Sequence, residues 1–295
     1  MQLLVYFCRY MNNKYRFHMK KFITLFLLAV FMTGLLTGCK KKPPQTPILP
    51  PEESMVIDFS NFETGKSADF SSFNKGVENS NWEFAALVAG YWRTILTATI
   101  VVPVNTFKLA VDQTPVWLKD EEIFQWSYSA SVLSVSYKAR LTAEIRTSDV
   151  LWKLYITKEG TGGFAEFLWV EGTSKTDGTS GQWTLYHSYT YQEELLQIDW
   201  TKTATGMGTV KYTYIRDKND ARVTDPFKNS YIEYGKTTVN YDAFYGIHYY
   251  NGQAFSDVDV EWSTTGFNGR VMASAWFGDS SWHCWNGNLV NITCP

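Results

Sequence analysis

From Trp126 to Ile145 apolar and polar residues alternate, and this pattern narrows the possible folds more than any other feature. A period of two puts successive side chains on opposite sides of a pleated strand, whereas a helix needs 3.6. Trp126, Tyr128, Ala130 and Val132 share one phase; Val135, Tyr137, Ala139, Leu141, Ala143 and Ile145 share the next. A one-residue slip turns a buried face to water, so a turn or bulge is predicted at Leu133-Ser134.

The same texture predicts strands over 150–157, 164–171, 182–191, 196–202, 209–216, 231–236, 241–250, 255–262 and 270–277. A last stretch runs through Trp282, and 56–59 reads as a short first strand. Links such as Gly160-Thr161-Gly162-Gly163 are too short for parallel crossovers, so the strands pair as an antiparallel meander. About 10–12 consecutive strands twist and curl into a half-barrel or barrel-like sheet. One segment departs from this texture. Residues 82–102 are apolar on every side but for Glu83 and Arg93, with Asn81 suited to cap a helix and Pro103 to end it. The fold class is therefore mainly β, a curled meander around one N-terminal apolar helix buried on all sides. In shape this is similar to the unclosed barrels of the lipoprotein-carrier group.

Ahead of this body, Met19-Lys20-Lys21 is basic, 22–36 is apolar and uncharged, and Leu36-Thr37-Gly38 leads into Cys39. That tripartite order is a secretory signal, too short to span a bilayer comfortably. Leu36-Thr37-Gly38-Cys39 resembles the lipobox of bacterial lipoproteins. The resemblance implies cleavage before Cys39, acyl chains on its sulfur and amino group, and, since Lys40 is not aspartate, the outer membrane of a Gram-negative envelope. Residues 1–38 are then a signal peptide, with Met1 and Met19 as alternative starts. Residues 39–54 are the lipid anchor and a proline-rich tether, and 55–295 a single β-rich domain. With Cys39 lipidated, Cys284 and Cys294 are left as an even pair in an oxidising compartment, and a disulfide is expected between them.

A net charge of −2 gives no basic footprint for nucleic acid. The chain carries no H-E-x-x-H, G-x-S-x-G or phosphate-cradling motif, and no cofactor or metal is expected. His187, His248 and His283 are general-base types without a carboxylate at a telling sequence offset. Asp257, Asp259 and Glu261 read as the wet face of a strand, with a calcium site as the other reading. Asp199 and Glu233 are glycosidase-type acids whose separation a sequence does not give. The residues singled out for binding are Trp169, Trp183, His187, Tyr189, Phe244 and His248, because flat rings suit acyl chains and sugar faces. The leading expectation is a lipid-anchored binding or carrier module for a hydrophobic ligand. A glycan-associated binding protein and a structural or adhesion-like envelope protein are the alternatives, and an enzyme comes last.

Overall fold

The computed structural model describes residues 42–63 and 80–295. The chain divides into two compact units, residues 1–45 and 46–295. Cys39 and the signal-like segment lie outside the described residues.

In the second unit every strand pairs with its neighbour in sequence, so the alternation seen in the chain becomes one antiparallel sheet in strict order. The strands are β1 (Val116–Leu118), β2 (Ile123–Val132), β3 (Val135–Ile145), β4 (Asp149–Lys158), β5 (Phe164–Lys175), β6 (Ser180–Tyr186) and β7 (Glu194–Thr203). They continue as β8 (Gly206–Tyr214), β9 (Tyr231–Lys236), β10 (Ala243–Tyr250), β11 (Phe255–Trp262), β12 (Gly269–Met272), β13 (His283–Trp285) and β14 (Asn291–Ile292). The sheet curls without closing into a barrel. β1, β13 and β14 have only two or three residues each, too few to show a period, which is why they go unseen in the sequence. The slip at Leu133-Ser134 is a two-residue hairpin: Val132 faces Val135, and Leu133 and Ser134 have φ of 50° and 63°. Paired left-handed residues match the twist of the flanking strands.

Three expected strands differ. The one over 182–191 stops at Tyr186, after a register shift, and the chain turns; the His187 N–H donates to the Glu193 carbonyl at 2.8 Å and Ser188 to Tyr191 at 3.1 Å. The one over 270–277 stops at Met272 and gives way to a single turn, α2 (Ser274–Phe277), closed by Gly278 at φ 80°. Residues 56–59 join no strand: Val56 is extended, but at Phe59 (φ −107°, ψ 6°) the chain bends into a short 3-10 turn.

The helix, α1 (Asn81–Lys108), runs six residues past its expected end and starts one residue earlier, and its cap is Ser80 rather than Asn81. Ser80 Oγ accepts from the Glu83 N–H at 3.1 Å, and a Glu83 carboxylate oxygen accepts from the Ser80 N–H at 2.7 Å. Pro103 lies inside it. An internal proline costs about 3 kcal/mol, which the burial of Ile100, Val104 and Phe107, at about 1.5–3 kcal/mol each, offsets. Nor is the helix buried all round. Ala85, Ala89, Trp92, Leu96, Ile100, Pro103 and Phe107 make a stripe at three- and four-residue steps that enters the core; Arg93, Thr94, Thr97 and Ala98 are exposed. At its start the Asn81 side-chain amide donates to the Cys284 carbonyl in β13 (2.9 Å); near its end the Thr106 carbonyl accepts from the Tyr128 hydroxyl in β2 (2.9 Å). It thereby ties together the two flanks of the open sheet.

The end of the proline-rich stretch expected to be a tether is packed against the sheet. Pro50, Ser54 and Met55 are buried, Trp183 Nε1 donates to Ser54 Oγ at 3.1 Å, and the Tyr212 hydroxyl bonds the Met55 carbonyl. Met55 and Ile57 fill core volume, so the chain is part of the body well before residue 55.

The inner face of the sheet is paved with tryptophan, and glycine makes room for it. A Cβ on Gly172 would lie 2.3 Å from the Trp183 ring, on Gly181 2.7 Å from Trp200, and on Gly269 2.3 Å from Trp285; each pair is directly cross-strand. Trp152 adds an Nε1 hydrogen bond to Ser174 Oγ at 2.9 Å. A disulfide joins Cys284 to Cys294, with Cα atoms 5.2 Å apart.

Candidate functional site

The six residues singled out for binding go to three places. Trp183 is a core residue, 1% exposed, roofing Gly172. Trp169 and Tyr189 gather with Phe164 and Phe167 at one end of the sheet, where ring centroids lie 5.1–5.9 Å apart. His187 does not share a strand face with Trp183, because the strand has already ended; its ring lies 5.9 Å from that of Tyr191. Burial, then the Arg216 cation, hold its pKa below the usual histidine range. Phe244 and His248 do come together, on the outer face of β10, on either side of Gly246.

That neighbourhood follows from register. Gly246 faces Glu233 in β9 and Asp259 in β11, while Tyr245 and Ile247 point into the core. Phe244 leans over Gly235, where an added Cβ would lie 2.4 Å from its ring. His248 is held on three sides. Its ring stacks on Tyr231 (5.4 Å, 20°) and on Phe255 (4.6 Å, 6°), and Nδ1 meets Asp257 Oδ1 at 2.6 Å. This His–Asp contact crosses the β10–β11 hairpin, so no short sequence offset announces it. Lys211 lies over the Tyr231 ring at 3.8 Å.

Gly246 itself is uncovered: a Cβ there would meet nothing within 4 Å. It lies bare on the outer face, flanked by Phe244 and His248 along the strand and by Glu233 and Asp259 across it. Among the described residues, neither carboxylate has an ion-pair or hydrogen-bond partner. Burial, then the charges of Asp257 and Glu261, raise the pKa of Asp259. Glu261, by contrast, is bound to Arg270 at 2.6–2.8 Å, and that guanidinium lies 4.2 Å over the Trp282 ring. Asp257, Asp259 and Glu261 do share the outer face, and the described residues contain no group of three or more His, Cys, Asp or Glu placed to hold a metal.

Through Glu233 this neighbourhood borders a groove. The same outward row runs from Gly246 through Glu233, Lys211, Asp199 and Gln182 to Thr173, one residue per strand. Beside it lies a groove of about 550 Å³ lined by Lys175, Ser180, Gln182, Asp199, Lys211 and Glu233, among others. Asp199 is fixed in it by two amides, from Gln182 (2.6 Å) and Gln197 (2.7 Å). Asp199 and Glu233 therefore share one row with Lys211 between them, which suits hydrogen bonding along a groove rather than paired acid catalysis on one bond. A different cavity, of about 430 Å³, lies at the sheet rim between the segment 51–58 and β7–β9, with Val56, Met207, Val210 and Tyr234 in its walls and Lys202 and Lys236 beside them.

What sequence reading lacks here is Gly246, Glu233 and Asp259 as one unit. The only available signal was Phe-x-Gly-x-His at 244–248, a glycine interrupting an aromatic strand. Searches against protein-family models, curated proteins and solved structures find no match to this chain.

Proposed function

We propose that this is a lipid-anchored cell-envelope protein that binds a glycan chain on the outer face of β5–β11, seating one sugar ring on Gly246. The carrying observation is the contrast among strand glycines. Gly172, Gly181, Gly235 and Gly269 are each roofed by a ring from the protein, whereas Gly246 has the same strand context and no roof. A pyranose has a flat apolar side for Phe244 and His248 and hydroxyls that donate to Glu233 and Asp259; carboxylates are strong acceptors. The polar row from Gln182 to Asp259 crosses five strand steps, about 24 Å at ~4.8 Å each, long enough to take further units. Cys39 acylation at the outer membrane supplies the address.

The test is binding of the intact protein to an array of neutral and amino-bearing oligosaccharides, beside Gly246→Val. The account expects specific binding by the natural chain and none by the variant, with both melting at similar temperatures. Equal binding by the two would reject it. A second reading, the hydrophobic-ligand module, draws on the rim cavity beside Met207 and Tyr234. That cavity, of about 430 Å³, is smaller than the groove of about 550 Å³.

A further inference from the structure

α1 has a second face that the core does not use. Leu87 and Ile95 are half-buried and Thr94, Thr97 and Ala98 exposed; of its most apolar 18-residue window only 39% is buried. Between Glu83 and Lys108 the sole charge is Arg93, which meets Glu63 at 3.2 Å. Exposed Leu109 and Val111 extend the apolar surface past the helix end. A water-facing helix of this length ordinarily carries charged residues on its outer side.

Three polar side chains on this side bond back to the helix itself. Thr94 Oγ1 donates to the Gly90 carbonyl (2.9 Å), Thr99 Oγ1 to Ile95 (2.7 Å) and the Asn105 amide to Val101 (2.7 Å). Each is a bond to the helix's own preceding turn. Such back-bonding meets the donor's need without water or a partner, as an apolar medium demands.

We propose that the outer face of α1 lies in the acyl region of a lipid bilayer. The helix lies along the surface and does not cross it, since its stripe from Ala85 to Phe107 is committed to the core. A helix in this position sinks about 5–10 Å below the headgroups. Arg93 is long enough to keep its charge at headgroup level. The inference is independent of the Gly246 reading, and a lipid on Cys39 would add a second attachment.

The test reconstitutes the full chain in phosphatidylethanolamine–phosphatidylglycerol vesicles carrying a diazirine on the acyl chain, and maps photolabel by mass spectrometry. The expected result is label on Leu87, Ile95 or Ala98 and none on β7–β11. Label confined to residues 1–41, or chain-to-chain crosslinks through α1 without lipid label, overturns the proposal. A second arm uses Ile95→Glu with Ala98→Glu, melting as the parent does. Charges in the acyl region are disfavoured, so α1 label should fall at least about tenfold; unchanged label overturns the proposal. Should that pair fail to fold, Thr97→Glu, at an exposed position, reads the same quantity.

Discussion

The strand glycines of the sheet serve in opposite ways. Inside, Gly172, Gly181 and Gly269 are recesses into which Trp183, Trp200 and Trp285 fit, and the recess and its ring come from the same chain. Outside, Gly235 follows the same rule under Phe244, but Gly246, across the hairpin and two residues further along β10, does not. A glycine in a strand interior costs order and packing, about 0.5–1 kcal/mol against alanine. At the inner positions the tryptophan recovers that cost. At Gly246 nothing among the described residues does, and it is bordered by two carboxylates that have no partner among them. The comparison separates a glycine that serves the fold from one that serves a ligand.

The largest way to break the comparison is to remove an inner ring. Trp183→Ala deletes a side chain 1% exposed and orphans Ser54 Oγ; a loss of about 3–5 kcal/mol is expected in denaturant unfolding. Next comes the recess itself. Gly172→Ala places a methyl 2.3 Å from the Trp183 ring and from the Gln182 carbonyl, and should lose about 1–3 kcal/mol by the same measurement. Gly246→Ala should do the reverse, leaving stability unchanged or raising it by about 0.5–1 kcal/mol, since the methyl meets open space. A loss comparable to that of Gly172→Ala would erase the distinction between the two kinds of glycine.

Asp259 sharpens it by pH. Its folded-state pKa is raised, by burial first and then by Asp257 and Glu261, so the folded protein holds the proton more tightly than the unfolded chain. Stability contributed by this group is therefore present below the unfolded value of about 3.9 and declines as pH rises through the raised folded value. Asp259→Asn should accordingly stabilise at neutral pH, and the gain should vanish in acid; a melting temperature series against pH checks the sign. The smallest effect belongs to the β2–β3 turn. Leu133→Asn with Ser134→Gly suits the two positive φ values and should gain about 0.4–1 kcal/mol in the same melts.

The meander was legible because period two survives in every long strand, as in Val258, Val260 and Trp262 against Asp257, Asp259 and Glu261. Boundaries were lost where tertiary contacts outweighed local signals. Buried Val104 and Phe107 carry the helix past Pro103, and Ser54 and Met55 are drawn from a proline-rich stretch into the core. The site was half legible. Phe244 and His248 stood out as aromatics on a strand, but their relation to Glu233 and Asp259 is a matter of register between strands, which no single strand contains. Trp183 had the right chemistry for binding and the wrong face, since inward and outward positions differ by one residue.

The central claim is that the bare outer face at Gly246 receives a sugar ring from outside the protein. Backbone amide resonances of Gly246, Glu233 and Asp259, followed by NMR while oligosaccharides that score on the array are titrated in, test it most directly. The account predicts saturable shifts centred on β9–β11 and tapering along the groove towards Gln182. Shifts centred at the rim cavity near Met207, with Gly246 unmoved, would contradict it.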